Sequence, residues 1–559
     1  MEAQSEPQFS STQTKNSDFI NNNVNDHNQN LPRRTANYTP NMWSYDRLQS
    51  LTSIYLETKY KREVEELKEQ IWTIFSVVDN PVYKLEFIDR IEKLALSHYF
   101  AEEIREAMDD IIACKKMSMI SSNMNEDEYL YSTALYFRIL RQYGHYVSQD
   151  EVLRVMNGDK FITRDAKAML EISEASYLAT EDECLFDRTK AFAAAKNFSC
   201  LNPDYYLYSD KCPLHWSVTW FNVKTHVRSQ SNTKLLRLAK LSFNTVQAQH
   251  QKELKEILRW WRNLGLSEVL TFTRDRVVES FLWAVGVAYE PQYANLRKWL
   301  AKAIMLVLII DDIYDIYGSE YEVEQLTIAV ERWDPRGIQQ LPEAIKRCFW
   351  TLYDTANDID LEIQKEKGWN SVLPHLKKAW TDFCKALLVE AKWYHSGHTP
   401  FLQEYLDNGW ISSSGPVLSL HVLFGVGEDI TQTISVFNNS TEIIRQSSLI
   451  IRLCNDLGTS QAEVERGDVA SSILCYMREA NVVEGKAREY MKNLELHSWR
   501  KINGLYMASL TWEKPMLRYV INTARVANFI YQNGDGFGVQ NQETRDQVLS
   551  CLVEPLPLV

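Results

Sequence analysis

Residues 304–315 read IMLVLIIDDIYD, an apolar run that ends in three acids. The run is far shorter than the roughly 20 apolar residues that a membrane span needs, so it predicts a buried helix segment. On a helix, Asp311 and Asp315 are i,i+4 neighbours, and Asp312 and Asp315 are i,i+3 neighbours. Three carboxylates therefore crowd one face at the end of a buried helix.

Clustered carboxylates repel one another and raise each other's pKa values, so the cluster makes sense if a cation neutralises it. Ligands that are all oxygen suit Mg²⁺ or Mn²⁺ better than Zn²⁺. A solvated acidic helix end is the alternative interpretation, and the cluster by itself leaves both open.

The rest of the chain also carries apolar residues at helical spacing, without a convincing period-2 strand. This pattern predicts an all-α fold. The clearest helical stretches are Tyr60–Thr73, Leu85–Ala107, Leu130–Tyr143, Leu235–Leu266, Ala344–Lys367 and Ser371–His395.

A short polar stretch at residues 228–233 (RSQSNT) predicts a domain boundary. We therefore expect a disordered tail at residues 1–32, one helical domain at 33–230 and a larger one at 231–559. The tail is rich in Asn, Gln and Ser, with four acids, one Lys and no Arg. That composition is unlike an organelle transit peptide, which is Arg-rich and poor in acids, so we expect a cytoplasmic location.

Composition excludes several classes of protein. The net charge is −13 and no Lys/Arg block occurs, which argues against nucleic-acid binding. The nine cysteines are scattered, so a disulfide framework is not expected. No apolar run is long enough to span a membrane.

A second polar cluster lies about 140 residues after the first, in the stretch NDLGTSQAE. Asn455, Thr459 and Glu463 are spaced i, i+4, i+8, so on a helix they drift by only about 80° and share one face. A polar helix face is the alternative for this cluster alone. Helical bundles build metal sites from such facing clusters, so the two could meet across a bundle core.

Three arginines complete the pattern: Arg274 and Arg276 flank Asp275, and Arg452 precedes Asn455 by three residues. The planar guanidinium suits phosphate oxygens, although any one of them could be a surface cation. Two acidic clusters with arginines imply a diphosphate held through bridging Mg²⁺. Charge neutralisation would promote C–O cleavage, and the resulting allylic cation would need a dry pocket lined by ring faces.

From about Arg33 to the C-terminus, the chain resembles plant class I terpene synthases. Arg33-Arg34, separated from Trp43 by eight residues, resembles the family's RRx8W motif, which folds over the mouth of the active site. The segments 274–276, 311–315 and 455–463 are similar to its RxR, DDxxD and NSE/DTE motifs. The resemblance implies a C-terminal helical bundle with a central apolar pocket and a non-catalytic N-terminal α-barrel, since the class II motif DxDD is not present.

The resemblance also implies roles for the motif residues. Asp311 and Asp315 would bind two Mg²⁺ with Asp312 in support, and Asn455, Thr459 and Glu463 would bind a third; Mn²⁺ can substitute. Arg274 and Arg452 would grip the diphosphate, and Arg276 would help to close the lid.

Further residues match the family's pocket. Trp283 would stabilise cations, and Tyr531 and Asp535 lie in the loop that caps the pocket. Ser412–Gly415 (SSSG) falls where the family has a broken helix lining the cavity. A monomer is expected.

Six segments resemble the α-farnesene and β-ocimene synthase branch in particular: RRTANYTPNMW, RWWRNLGL, AVGVAYEP, DDIYDIYGSE, DFCKALLVEAKWY and NGDGFG. This resemblance implies ionisation of farnesyl diphosphate and direct proton loss to (E,E)-α-farnesene, with bound pyrophosphate as a candidate base. Geranyl diphosphate and (E)-β-ocimene are the runner-up. A prenyl synthase that elongates chains is disfavoured, because it would need a second DDxxD-type site. The alternatives without this catalytic activity are a carrier of hydrophobic ligands and a synthase that folds but is inactive.

Overall fold

The computed structural model describes residues 33, 36, 38–113, 124–154, 165–189, 212–228, 230, 232–466 and 471–558, with residues 461–466 described by their backbone. Within these ranges no residue lies in a β-strand, which confirms the all-α prediction. The described helices before residue 230 are α1 Tyr45–Gln49, α2 Thr58–Ser76, α3 Pro81–Lys93, α4 Ala101–Ala113, α5 Glu126–Gln142, α6 Asp150–Leu153, α7 Ala166–Ser176 and α8 Thr219–Arg228.

The helices that follow are α9 Thr233–Leu264, α10 Leu266–Val269, α11 Val277–Val287, α12 Ala294–Asp312, α13 Glu320–Arg332, α14 Glu343–Lys367, α15 Leu373–Ser396, α16 Leu402–Ser412, α17 Gly415–Val426, α18 Ile430–Asn439, α19 Thr441–Arg466, α20 Ser472–Ala480, α21 Glu484–Ala508, α22 Lys514–Tyr531 and α23 Gln542–Val548. Among the described helices, none is both long enough and apolar enough to cross a membrane.

The predicted helix Leu85–Ala107 is wrong as one element, because α3 ends at Lys93 and α4 begins at Ala101. Leu94, Ala95 and Leu96 between them are all buried. A straight helix turns each residue by about 100°, so it cannot bury three consecutive side chains against one surface. Ala95 instead adopts the left-handed conformation at φ 55°, and the chain turns.

The centre of the C-terminal half is formed by helices that are apolar on nearly every side. Every residue of α11 is buried, and α12 packs against α11, α9 and α17. A helix that is apolar all round is stable only where other helices cover it. The run at residues 304–310 therefore forms a buried helix segment, as predicted, and brings its acidic end to the edge of this core.

The described residues after Arg33 form one compact unit. Helices pack across the predicted boundary near residue 230, with α2 and α8 against α9. Trp220 of α8 stacks on Phe243 of α9 at 4.6 Å and on Tyr289 at 5.2 Å between ring centroids. The division into domains at residues 33–230 and 231–559 stays a prediction.

Candidate active site

The first acidic cluster lies where α12 changes its helical geometry. Asp311 and Asp312 are the last two residues of α12, and a π-helical turn follows at Ile313–Tyr317. The predicted i,i+3 and i,i+4 relations assume an α-helix through all three acids, but Asp315 lies in the π turn. Asp312 is buried, Asp311 is half-buried and Asp315 is exposed. Single π turns inside helices are frequent at functional sites.

Arg274 holds the two acids at the end of α12. Its Nη2 lies 2.6 Å from Asp311 Oδ2 and 2.9 Å from Asp312 Oδ1, and its backbone N–H donates to Asp312 Oδ2 at 3.0 Å. Burial acts against the charge, but the carboxylates of Asp312 and Asp311 raise the pKa of Arg274 well above its ordinary value. The arginine therefore balances the negative charge of the cluster.

Asp312 is 1% exposed, and burial raises its pKa to about 6, with Arg274 acting against the shift and Asp311 adding to it. Its Oδ1 also accepts a hydrogen bond from the Tyr38 hydroxyl at 3.0 Å. The sequence motifs do not indicate Tyr38. Its position four residues after Arg34, in the segment expected to fold over the site, was the available signal.

The second cluster lies on α19, as its spacing predicted. The Thr459 hydroxyl donates to the Asn455 backbone carbonyl at 2.9 Å, and Arg452 contacts the Asn455 side-chain oxygen. Arg452 Nε also lies 2.8 Å from Asp456, a fully buried acid. Asn455, Thr459 and Arg452 thus come together, whereas the side chain of Glu463 lies outside the described residues.

Two side chains lie close enough to both clusters for charged groups of each to shift their pKa values. Glu390 of α15 accepts hydrogen bonds from Ser412 and Asn408, and burial raises its pKa. Its pKa is also lowered by Arg452 and raised by Asp311, one from each cluster. The metal and arginine motifs do not indicate Glu390, although it lies in the segment DFCKALLVEAKWY.

Tyr531, the last residue of α22, is also near polar groups of both clusters. Burial raises the pKa of its hydroxyl and Asp535 adds to the shift, while Arg274, Arg452 and a hydrogen bond with Asn455 act against it. Tyr531 is therefore near charged or polar groups of both clusters.

Aromatic rings lie next to these polar groups. The Trp283 ring is stacked on Phe537 at 5.7 Å and meets Tyr531 edge-on at 6.4 Å between centroids. Asp535 shapes the loop that carries Phe537, since its Oδ1 accepts the backbone N–H groups of Phe537 at 3.1 Å and Gly538 at 2.7 Å. The structure thus brings Trp283, Tyr531 and Asp535 together, their pocket roles stay predictions, and Phe537 is a ring that the motifs do not indicate.

The SSSG stretch is a break between two helices. α16 ends at Ser412, Ser414 takes the left-handed conformation at φ 65°, and α17 begins at Gly415. The Ser412 hydroxyl contacts Glu390, which connects the break to the space between the clusters.

Arg276 lies apart from the acidic clusters. It is 0% exposed and donates to the backbone carbonyls of Phe537 at 2.7 Å, Thr39 at 3.0 Å and Gly538 at 3.3 Å. The guanidinium thus holds the segments at Thr39 and at residues 537–538 in place, as a lid residue would. None of these hydrogen bonds involves an acidic cluster.

Trp43 is fixed nearby, since its indole N–H donates to Glu279 at 2.8 Å. Arg33 is exposed, and Arg34 lies outside the described residues.

The donor set suits a hard divalent cation. Asp311 and Asp315 offer carboxylates, Asn455 an amide oxygen and Thr459 a hydroxyl, all of them oxygen ligands. Among the residues whose side chains the structure describes, no three His, Cys, Asp or Glu side chains already converge as a metal cluster. The buried acids instead use Arg274 and Arg452 as counter-charges.

Comparison with known proteins gives two family matches. The profile of the terpene synthase family metal-binding domain matches residues 262–501, and that of the terpene synthase N-terminal domain matches residues 42–202. The chain is 45% identical to an alpha-farnesene synthase of Ricinus communis, covering 94% of this chain and 96% of the relative. It is 46% identical to an (E,E)-alpha-farnesene synthase of Malus domestica, covering 94% of each.

A solved structure of isoprene synthase from grey poplar leaves, in complex with three Mg²⁺ ions and dimethylallyl-S-thiolodiphosphate, has a TM-score of 0.82 and 36% identity. The match covers 92% of this chain and 99% of that one. Both family profiles, the high identity over most of the chain and the shared class I helical fold agree with one another. The chain is a member of the terpene synthase family and carries its metal-binding domain.

Proposed function

We propose that this protein converts farnesyl diphosphate to (E,E)-α-farnesene with bound Mg²⁺. The observation that carries the proposal is the pair of polar clusters that meet between Arg274 and Arg452, beside the rings of Trp283 and Tyr531. The names of the two relatives support the choice of product. In the proposed reaction the C–O bond breaks, the electron pair leaves with the diphosphate, and the allylic cation loses a proton to give a neutral tetraene.

The metal site in the proposal consists of Asp311 and Asp315 with Asp312 in support, and of Asn455, Thr459 and Glu463. We expect three Mg²⁺ ions, as in the similar isoprene synthase complex, with Mn²⁺ as a substitute. Bound Mg²⁺ supplies positive charge that stabilises the leaving diphosphate.

Arg274 and Arg452 bind the diphosphate oxygens in this proposal, since each guanidinium already lies beside a polar cluster. When the substrate binds, Arg274 exchanges carboxylate oxygens for phosphate oxygens, and this exchange keeps its charge paired. Asp312, which is buried, stays hydrogen-bonded to the Tyr38 hydroxyl.

The rings of Trp283, Tyr531 and Phe537 face the hydrocarbon end of the substrate. Aromatic faces stabilise a cation by their negative quadrupole and offer no nucleophile. The covering loop at Asp535 keeps water away, which favours proton loss over capture by water. Bound pyrophosphate is the proposed proton acceptor.

This activity would place the enzyme among the carbon–oxygen lyases that act on phosphates. The monomeric state and the cytoplasmic location stay predictions. The test is to incubate the purified full chain with Mg²⁺ and, separately, farnesyl or geranyl diphosphate, and to identify volatiles by gas chromatography with mass detection. We expect (E,E)-α-farnesene from farnesyl diphosphate, and no product when a chelator removes the metal.

Two variants sharpen this experiment. Arg274→Gln should lower kcat/KM by about 10²–10³-fold, the cost of removing one electrostatic contact that acts on the leaving group. Arg336→Gln is the matched control, since the Arg336 side chain is 89% exposed and its ion pair is with Asp334 in the same turn.

(E)-β-ocimene from geranyl diphosphate is the second candidate, because the same segments resemble both branches. A strong preference for geranyl diphosphate would favour it. A cyclic product would overturn the product assignment and keep the family. Absence of a volatile from either substrate would favour the carrier or the inactive synthase.

A further inference from the structure

Two short segments cover the site from opposite ends of the chain. The N-terminal cover, residues 38–43, reaches the acidic cluster through the Tyr38 hydroxyl, which donates to Asp312. The C-terminal cover, residues 535–540, reaches the aromatic pocket through Phe537, whose ring stacks on Trp283. The two covers are about 500 residues apart in sequence, so their joint position depends on tertiary contacts.

Glu279 of α11 joins the two covers. Its Oε1 accepts the Trp43 indole N–H at 2.8 Å and the Gln540 amide N–H at 2.6 Å. The Gln540 side-chain oxygen in turn accepts the Met42 backbone N–H at 2.8 Å. The hydrogen bonds thus form a closed ring that contains α11, the N-terminal cover and the C-terminal cover.

The acceptor at the centre of this ring is buried, although the Met42–Gln540 hydrogen bond lies at the surface. Glu279 is 1% exposed and lies one helical turn before Trp283 on α11. A buried carboxylate is costly unless it is hydrogen-bonded, so this residue needs both covers in place. Burial raises the pKa of Glu279, while its bonds from Trp43 and Gln540 act against the shift.

We propose that Glu279 is a positioning residue that makes the two covers close as one piece over the site. It acts through Trp43 and Gln540 and does not touch the substrate. The consequence of this joint closure is the exclusion of water from the allylic cation, and that consequence rests on the proposed function. If one cover loosens, the shared acceptor loses a partner, and the other cover loosens with it.

The variants change either the shared acceptor, Glu279, or one of its two donors, Trp43. Glu279→Gln keeps an oxygen that can accept both N–H groups, and Glu279→Leu removes it. Trp43→Phe keeps a ring and removes only the indole N–H. Gln542→Ala is the control, because Gln542 is exposed and donates to Asp546 within its own helix α23.

The first measurement is amide hydrogen exchange on the full chain without substrate. The reporters are the amides of Met42 in one cover and of Phe537 and Gly538 in the other. Trp43→Phe and Glu279→Leu should speed exchange in both covers by about tenfold, the effect of losing one hydrogen bond to a buried charged group. Glu279→Gln and Gln542→Ala should match the wild-type protein.

Faster exchange confined to residues 38–43 in Trp43→Phe would overturn the proposal, and so would equal behaviour of Glu279→Gln and Glu279→Leu. The second measurement is the ratio of sesquiterpene alcohol to hydrocarbon from farnesyl diphosphate. It should rise severalfold in Trp43→Phe, because water then reaches the cation. If the wild-type protein makes no product, the proposed function fails, and the exchange data still decide the role of Glu279.

Discussion

At the scale of the residue, two side chains of the same type have different partners because their surroundings differ. Arg274 and Arg276 are two positions apart in one motif, yet Arg274 pairs with Asp311 and Asp312, and Arg276 is buried among backbone carbonyls. The motif predicted that both would lie near the site. Only the folded chain assigns one to the acids and the other to the covers, because the partners of each come from distant parts of the sequence.

Glu174 gives a testable case of a buried acid outside the site. It is 6% exposed and accepts the Leu214 backbone N–H at 2.8 Å. Burial raises its pKa from 4.5 to about 7, with the Leu214 bond acting against the shift. The folded state therefore keeps a proton that the unfolded chain loses. Its contribution to stability is fully present below pH 4.5 and is lost as the pH rises through 7.

The unfolding free energy of the wild-type protein should fall between pH 4.5 and 7.5 as Glu174 titrates. In Glu174→Gln this fall should be smaller by about 3 kcal/mol, because the amide does not titrate. Denaturant unfolding at the two pH values measures this difference. Glu65→Gln is the control, as its side chain is 61% exposed. An unchanged pH dependence in Glu174→Gln would contradict the prediction.

At the scale of the element, periodicity predicted the long helices and failed where the chain turns without Gly or Pro. The clearest stretches fall on α2, α5, α9, α14 and α15 with their ends shifted by a few residues. The turn at Leu94–Leu96 and the π turn after Asp312 have no local signal. Both depend on which neighbouring helices cover the side chains, and that information is not local.

The close approach of α17 and α19 makes Gly415 a sensitive position. A Cβ at Gly415 would lie 1.9 Å from the Ser448 hydroxyl and 2.9 Å from Ser448 Cα. Gly415→Ala should therefore lower the unfolding free energy by about 2–3 kcal/mol through overpacking, as measured by denaturant unfolding. The double variant with Ser448→Gly should recover part of the loss.

Gly485 near the start of α21 is the matched control, because nothing lies within 4 Å of a Cβ built there. Gly485→Ala should be neutral or raise stability by up to about 1 kcal/mol, since alanine favours the helix. Equal effects of the two glycine substitutions would rule out the close contact with Ser448 as the cause.

At the scale of the whole molecule, α9 binds the end of the chain through a row of amide side chains. Asn244 donates to the Leu556 carbonyl at 2.8 Å and accepts the Leu556 N–H at 2.6 Å. Gln251 donates to the Leu552 carbonyl at 2.9 Å. The last described residues are thereby fixed along the helix that follows the predicted domain boundary.

Asn244→Ala should lower the unfolding free energy by about 2–4 kcal/mol, because two buried backbone groups of Leu556 lose their partner. Denaturant or thermal unfolding measures the loss. Asn439→Ala is the control, since Asn439 is exposed and bonds only within α18. A loss no larger than that of the control would mean that water replaces the Asn244 contacts.

The sequence by itself determined the helical class, the acidic end of the buried helix α12, the i,i+4 spacing of Asn455 and Thr459, and the resemblance to terpene synthases. The helical features depend on neighbours within a few turns of one helix, so local periodicity carries them, and the resemblance depends on short motifs that can be read without the fold. Only the tertiary structure decided that Tyr38 bonds Asp312, that Glu390 lies between the clusters, and that Glu279 joins two ends of the chain. Each of those contacts joins residues on different elements, and their positions follow from how the helices pack together.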